Sequence, residues 1–202
     1  MPTTARKPSN WNVPNALTTL RIVMVPFFAY ALLVDGGKSS TWRWVAYGLF
    51  VVAMITDKVD GDLARKHNLV TDFGKIADPI ADKALTGMAF VGLSVIGELW
   101  WWVTVVVLLR EWGITFLRFW WVRRGVVLPA GRGGKLKTMV QTFALGLLIM
   151  PLLMFTGFWE PVGQFLWWVA IALMAAAVAL TVGTGVDYVR ESQASRKAQT
   201  AA

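Results

Sequence analysis

The chain has 202 residues, 56% of them hydrophobic and twelve of them Trp, with a mean hydropathy of +0.53, which indicates a multi-pass membrane protein and leaves no room for a separate soluble domain. The absence of cysteine excludes disulfides, thiolate metal sites and a cysteine nucleophile. The net charge of +8 is not accompanied by a basic and aromatic module, so nucleic-acid binding is not expected.

In chain order, residues 1–15 form a polar N-terminal segment with Pro2, Pro8 and Pro14. Trp11 suits a headgroup belt, and Pro14 precedes a cap expected at Asn15. Six apolar stretches follow, at about 16–34, 42–56, 76–96, 99–122, 136–155 and 162–186. A membrane span needs roughly 20 such residues. The first stretch contains Arg21 and ends on no small-residue cleavage site, so it reads as an uncleaved helix. The second is short, but its helix can continue through Asp57 into Arg65 beyond the membrane surface. Turns are predicted at Asp35 to Ser40, at Gly97-Glu98 and from Gly157 to Pro161, with a loop from Arg123 to Lys135. Trp100 to Trp102, Trp120-Trp121 and Trp167-Trp168 read as interfacial anchors. No internal repeat is visible. Residues 16–189 therefore read as one six-helix domain, all-α, with a polar cavity at its cytoplasmic side, and residues 190–202 as a flexible tail.

Charge placement predicts orientation. Arg6 and Lys7, then Arg65, Lys66 and Lys75, then Arg123, Arg124, Arg132, Lys135 and Lys137, then Arg190, Arg196 and Lys197 all fall on one side. Only Lys38 and Arg43 fall on the other. By the positive-inside rule both termini lie in the cytoplasm of a protein of the cell membrane. The basic excess also favours contact with anionic membrane lipids.

Six of the twelve acidic residues lie between Asp57 and Asp82, beside membrane-length apolar runs. Carboxylates there are costly and mark function. Asp57 and Asp60 are i, i+3, and Asp78 and Asp82 are i, i+4, so each pair shares one helix face. Two helices joined through residues 66–73 would gather four anions. Bound divalent cations are the simplest remedy for their repulsion, and oxygen ligands suit Mg²⁺ or Mn²⁺. Asp62 and Asp72 fall outside this pattern and read as solvated, and His67 as a bystander.

This segment resembles the signature of the CDP-alcohol phosphatidyltransferases, Asp-x2-Asp-Gly-x2-Ala-Arg-x8-Gly-x3-Asp-x3-Asp. Asp57, Asp60, Gly61, Ala64, Arg65, Gly74, Asp78 and Asp82 meet all eight fixed positions across 26 residues. The resemblance implies transfer of a phosphatidyl group from CDP-diacylglycerol to an alcohol, with release of CMP, assisted by two divalent cations. Asp57, Asp60 and Asp78 would be metal ligands. Asp82 would complete the cluster and act as general base. Gly61 and Ala64 would admit the cytidine nucleotide, Arg65 would face its phosphates, Gly74 would allow close helix packing, and Thr71 could donate to phosphate. A homodimer is a further family expectation.

Other stretches resemble the members of that family whose acceptor is glycerol 3-phosphate. They are Asn12-Val-Pro-Asn15-Ala-Leu-Thr18-Thr-Leu-Arg21, Asp78-Pro-Ile-Ala-Asp82-Lys83, Arg110-Glu111 and Gly134-Lys135-Leu-Lys137-Thr138-x2-Gln141. Asn15 and Thr18, one turn apart, could touch the nucleotide, while Arg21 implies a polar cavity or a carboxylate partner. Arg110, Arg118, Lys135 and Lys137 are the candidates to bind the acceptor's phosphate. Two alternatives stay open: a sister transferase using inositol phosphate or phosphatidylglycerol, and a divalent-cation transporter.

Overall fold

A computed structural model describes residues 12–67, 71–123 and 132–200, and six long helices dominate it, with no strand among the described residues. They are α1 (Val13–Leu33), α2 (Ser40–Lys66), α3 (Asp72–Val95), α4 (Trp101–Arg123), α5 (Arg132–Ile149) and α6 (Glu160–Thr200). Three stretches, Val13–Gly37, Gly134–Met154 and Gly157–Tyr188, are long and apolar enough to cross a membrane by themselves. The other helices carry the acidic motif (α2 and α3) or Arg110 and Glu111 (α4), and these charges interrupt their apolar runs.

The chain forms two compact units. In the first, α1 packs along both α2 and α3, and the short segment Ile149–Pro151 joins them. Small residues make the approach possible: Ala46 and Ala53 of α2 and Ala77, Ala81 and Ala89 of α3 are buried. At Gly92 an added Cβ would stand 2.5 Å from the end of the Leu32 side chain, which would have to shift for α3 to keep its contact with α1. The cap of α1 is Asn12 rather than Asn15. Asn12 has extended backbone angles and its side chain accepts the Asn15 N–H at 2.9 Å. Pro14 sits inside the first turn, where its missing N–H costs nothing, and Asn15 is already helical. Asp35 (φ 54°) and Gly36 (φ 62°) turn the chain in left-handed conformations before Ser39 caps α2.

Arg43, expected as a charge on the non-cytoplasmic side, is buried. Its Nε donates to the Ile149 carbonyl at 2.9 Å and its Nη2 to the Met150 carbonyl at 3.2 Å. These are end-of-helix carbonyls that α5 leaves without intrahelical partners. Helix α5 stops at Ile149, short of the expected 155, because Pro151 disfavours helical geometry at the residue before it.

In the second unit, α6 packs against α4 and against the 3-10 turn Leu152–Met154. An added Cβ at Gly163 would lie 2.1 Å from the Leu152 carbonyl oxygen, so glycine is required there. Residues 190–200, expected to be flexible, continue α6 as helix to Thr200. From Val186 onward that stretch contains neither Gly nor Pro and is rich in good helix formers.

Candidate functional site

The site of the first unit is built on three successive turns of one face of α1. Asn15, Thr18 and Arg21 are spaced i, i+3, i+6, and all three are buried. Each reaches the acidic segment. Arg21 places Nη1 2.5 Å from Asp57 Oδ1 and bonds Asp60 Oδ2 through Nη2. Thr18 Oγ1 donates to Asp78 Oδ1 at 2.6 Å and stands 3.5 Å from Asp60 Oδ2. Thr71 Oγ1 donates to Asn15 Oδ1 at 3.0 Å and accepts the Gly74 N–H at 3.0 Å, which makes it the N-cap of α3. One helix thus clamps both carboxylate-bearing helices.

Gly74 follows from this geometry. A Cβ there would meet Asn15 Oδ1 at 3.0 Å and Thr71 Oγ1 at 3.3 Å, so the residue must be small for α1 and α3 to close. Asp57 and Asp60 do fall on one face of a continuous α2, and Asp82 follows Asp78 by one turn of α3, half-buried. Gly61 and Ala64 are half-buried on the next turn of α2. Asp62 and His67 are exposed, in line with their lying outside the motif. The side chains of Arg65 and Asp72 lie outside the described residues.

The electrostatics favour a cation. Asp60 lies beyond the apolar part of α2, and burial raises its carboxyl above the usual range. Arg21 pulls it down, while Asp57 and Asp78 push it up again. Three carboxylates against one guanidinium leave two negative charges in a partly dry pocket. Among the described residues no three His, Cys, Asp or Glu side chains converge tightly enough to hold a metal ion. Arg21 and Thr18 stand between the carboxylates instead. The donor set nevertheless fits a hard divalent cation: it is all oxygen, carries uncompensated negative charge and sits on two adjacent helix ends.

The second unit holds a separate polar cluster. Glu111 of α4 accepts from Arg110 Nη1 at 3.0 Å and from Lys137 of α5, which is buried. Arg110 Nη2 also donates to Thr184 of α6 at 2.8 Å, and Gly185 lies against its stem. Gln141, one turn beyond Lys137, is buried with its Oε1 unpartnered. Of the four cations proposed for an acceptor phosphate, Arg110 and Lys137 come together here. Lys135 is exposed, two residues away from Lys137 and on another face of α5. The side chain of Arg118 lies outside the described residues. The pairing of Lys137 with Glu111 is not apparent from sequence spacing; the available signal is that an intramembrane Glu requires a cationic partner.

The chain matches the model of the CDP-alcohol phosphatidyltransferase family over residues 11–188. It is 52% identical over 178 residues to a probable phosphatidylglycerophosphate synthase of Mycobacterium tuberculosis (strain ATCC 25618 / H37Rv), covering 88% of this chain and 80% of the relative. It is 36% identical over 170 residues to a CDP-diacylglycerol–glycerol-3-phosphate 3-phosphatidyltransferase of Bacillus subtilis (strain 168), covering 80% and 88%. A relative with the same name from Shigella flexneri serotype 5b (strain 8401) is 34% identical over 190 residues, covering 91% and 96%.

Proposed function

We propose, on the premise that this chain belongs to the CDP-alcohol phosphatidyltransferase family, that it transfers the phosphatidyl group of CDP-diacylglycerol to glycerol 3-phosphate. The products are phosphatidylglycerol phosphate and CMP. The observation that carries the chemistry is the contact of Thr18 and Arg21 with the motif carboxylates Asp57, Asp60 and Asp78, beside Asn15 bonded to Thr71. The names of relatives at 34–52% identity support the choice of acceptor.

Asp57, Asp60, Asp78 and Asp82 would hold two divalent cations, Mg²⁺ or Mn²⁺, which when bound offset the pyrophosphate charge and stabilise the leaving phosphate of CMP. Asp82 takes the proton of the acceptor hydroxyl as its oxygen forms a bond to the lipid phosphorus. The bond from that phosphorus to the CMP oxygen breaks, and its electron pair leaves with CMP. Asn15, Thr18, Gly61, Ala64, Arg65, Thr71 and Gly74 form the nucleotide side of the site, with the small residues admitting the nucleotide to the α2 backbone. Arg110, Arg118, Lys135 and Lys137 are the proposed cations for the acceptor phosphate. Lys137 and Arg110 are favoured among them, because both are drawn to one anionic group, the Glu111 carboxylate. The charge asymmetry of the loops supports a cytoplasmic location for the site, where nucleotide and glycerol phosphate are available.

The test is CMP release by purified protein given CDP-diacylglycerol, Mg²⁺ and a panel of glycerol 3-phosphate, inositol phosphate and phosphatidylglycerol. Turnover with glycerol 3-phosphate is expected. Turnover only with inositol phosphate or phosphatidylglycerol would leave the family and reject the acceptor. Metal movement across vesicles without CMP release would indicate a transporter.

A further inference from the structure

The geometry points to Arg21 as an internal counter-cation that occupies the carboxylate cluster and competes with divalent cations for it. This rests on the proposal that Asp57, Asp60, Asp78 and Asp82 are cation ligands.

Arg21 has no exposed surface, and it is the one charged residue of α1. Its two terminal nitrogens are both committed to motif carboxylates, one to Asp57 and one to Asp60. Its Nε is buried without a hydrogen-bond partner. Among the described residues, the hydrogen bonds of this guanidinium go to these two Asp residues. Arg21 bridges the two carboxylates, one nitrogen to Asp57 Oδ1 and one to Asp60 Oδ2, and an oxygen already accepting a charge-assisted hydrogen bond is a poorer ligand for a divalent cation. A positive charge bonded to both ligands also repels a second cation at the same place, and in a buried site that repulsion is weakly screened. Thr18 does the corresponding work on α3 without charge, turning Asp78 Oδ1 toward α1 through its hydroxyl proton.

Arg21 therefore has two effects of opposite sign. It steadies the cluster when no metal is present, by offsetting the charge of buried Asp60 and of the more exposed Asp57 beside it. It also weakens the cluster's affinity for the metal, because Arg21 must release at least one of Asp57 and Asp60 for those oxygens to become ligands. The freed guanidinium, with its unpartnered Nε, is then available to an anion such as a substrate phosphate. The role is that of a positioning residue acting through the carboxylates.

The experiment uses the full chain in detergent, stripped of metal with EDTA, without lipid substrate. Thermal unfolding and direct Mn²⁺ binding, read from the electron paramagnetic resonance of free Mn²⁺, are compared for the wild type, Arg21→Gln and Arg21→Lys. Arg21→Gln is expected to unfold several degrees lower than wild type in EDTA, and to bind Mn²⁺ about five- to a hundredfold more tightly. Saturating Mn²⁺ should close most of the stability gap. A merely structural arginine would lower stability equally with and without Mn²⁺ and leave the affinity unchanged or weaker, and that result overturns the inference. Arg21→Lys, whose ammonium holds one carboxylate rather than two, should still bind Mn²⁺ more tightly than wild type. Affinity equal to wild type in that variant also overturns it, whether or not Arg21→Gln folds. Absence of Mn²⁺ binding in all three proteins would instead reject the reading of the carboxylates as cation ligands, and this inference with it.

Discussion

Thr18 on α1 and Asp78 on α3 are joined by a 2.6 Å hydrogen bond across sixty residues of sequence, inside the packed face of the first unit. The hydroxyl aims one carboxylate oxygen toward α1, and it also lies 3.5 Å from Asp60, so it is the point where the two acidic helices meet a common neutral donor. A hydrogen bond to a charged group contributes about 1.5–3 kcal/mol. Thr18→Val keeps the shape and removes the donor. CMP release by this variant is expected to fall at least about tenfold, with a stability loss of about 2 kcal/mol in thermal or denaturant unfolding. Full activity in Thr18→Val would show that Asp78 needs no such orientation.

Gly74 tests whether closure of α1 on α3 matters. Its replacement by Ala puts a methyl 3.0 Å from Asn15 Oδ1 and 3.3 Å from Thr71 Oγ1, so the Asn15–Thr71 hydrogen bond must lengthen or break. Overpacking of this kind costs about 1–3 kcal/mol. Gly74→Ala is expected to unfold at lower temperature than wild type and to raise the KM for CDP-diacylglycerol. Gly48, where a Cβ meets nothing within 4 Å, is the control, and Gly48→Ala should not lower stability.

Asp82 and Asp62 separate motif from bystander. Loss of a general base lowers turnover by about 10²–10⁴. Asp82→Asn should fall in that range or below it, while Asp62→Asn, at an exposed position, should retain activity within about twofold of wild type by the bounds expected for surface changes. Equal activity of the two variants in a CMP-release assay would remove the base assignment from Asp82.

Lys137 and Lys135 carry the same charge two residues apart but differ in surroundings. Lys137 is buried against Glu111, and Lys135 is exposed. Lys137→Met leaves Glu111 with Arg110 alone, and breaking a buried pair costs about 3–5 kcal/mol. Its KM for glycerol 3-phosphate is expected to rise more than about tenfold, which corresponds to 1.4 kcal/mol. Lys135→Met should change that KM by less than about threefold. The reverse order in steady-state kinetics would move the acceptor site to the exposed lysine.

Arg43 offers a prediction about stability alone. Its guanidinium satisfies the carbonyls of Ile149 and Met150, and Arg43→Met leaves both without that donor. Unsatisfied buried groups cost about 1–3 kcal/mol each. Thermal unfolding in detergent should move down by several degrees, with the KM values for both substrates unchanged. A change in KM without a loss of stability would contradict this reading.

Much of this protein is local, and what is local was legible. Helical, membrane-length segments follow from apolar runs of about 20 residues, and the pairing of Asp57 with Asp60 and of Asp78 with Asp82 follows from the helical repeat alone. The eight motif positions are recognisable by their spacing alone, without reference to any other part of the chain. Local signals also misled where two of them competed. Asn12 and Asn15 are both capping residues, and the position of Pro14 between them decides for Asn12 only once the backbone is seen to turn helical at Val13.

The sequence by itself determined the membrane class, the helix count and the carboxylate motif, because each depends on neighbours within a few turns. Only the tertiary structure decided which partners those groups have. Arg21 meets Asp57 and Asp60 across 36 and 39 residues, Thr18 meets Asp78 across 60, and Lys137 meets Glu111 across 26. No periodicity in the chain encodes these distances. They arise because α1 buries one narrow polar face against α2 and α3, and α4 turns Glu111 toward α5. Where burial removes water, an ionic group takes the partner that packing supplies.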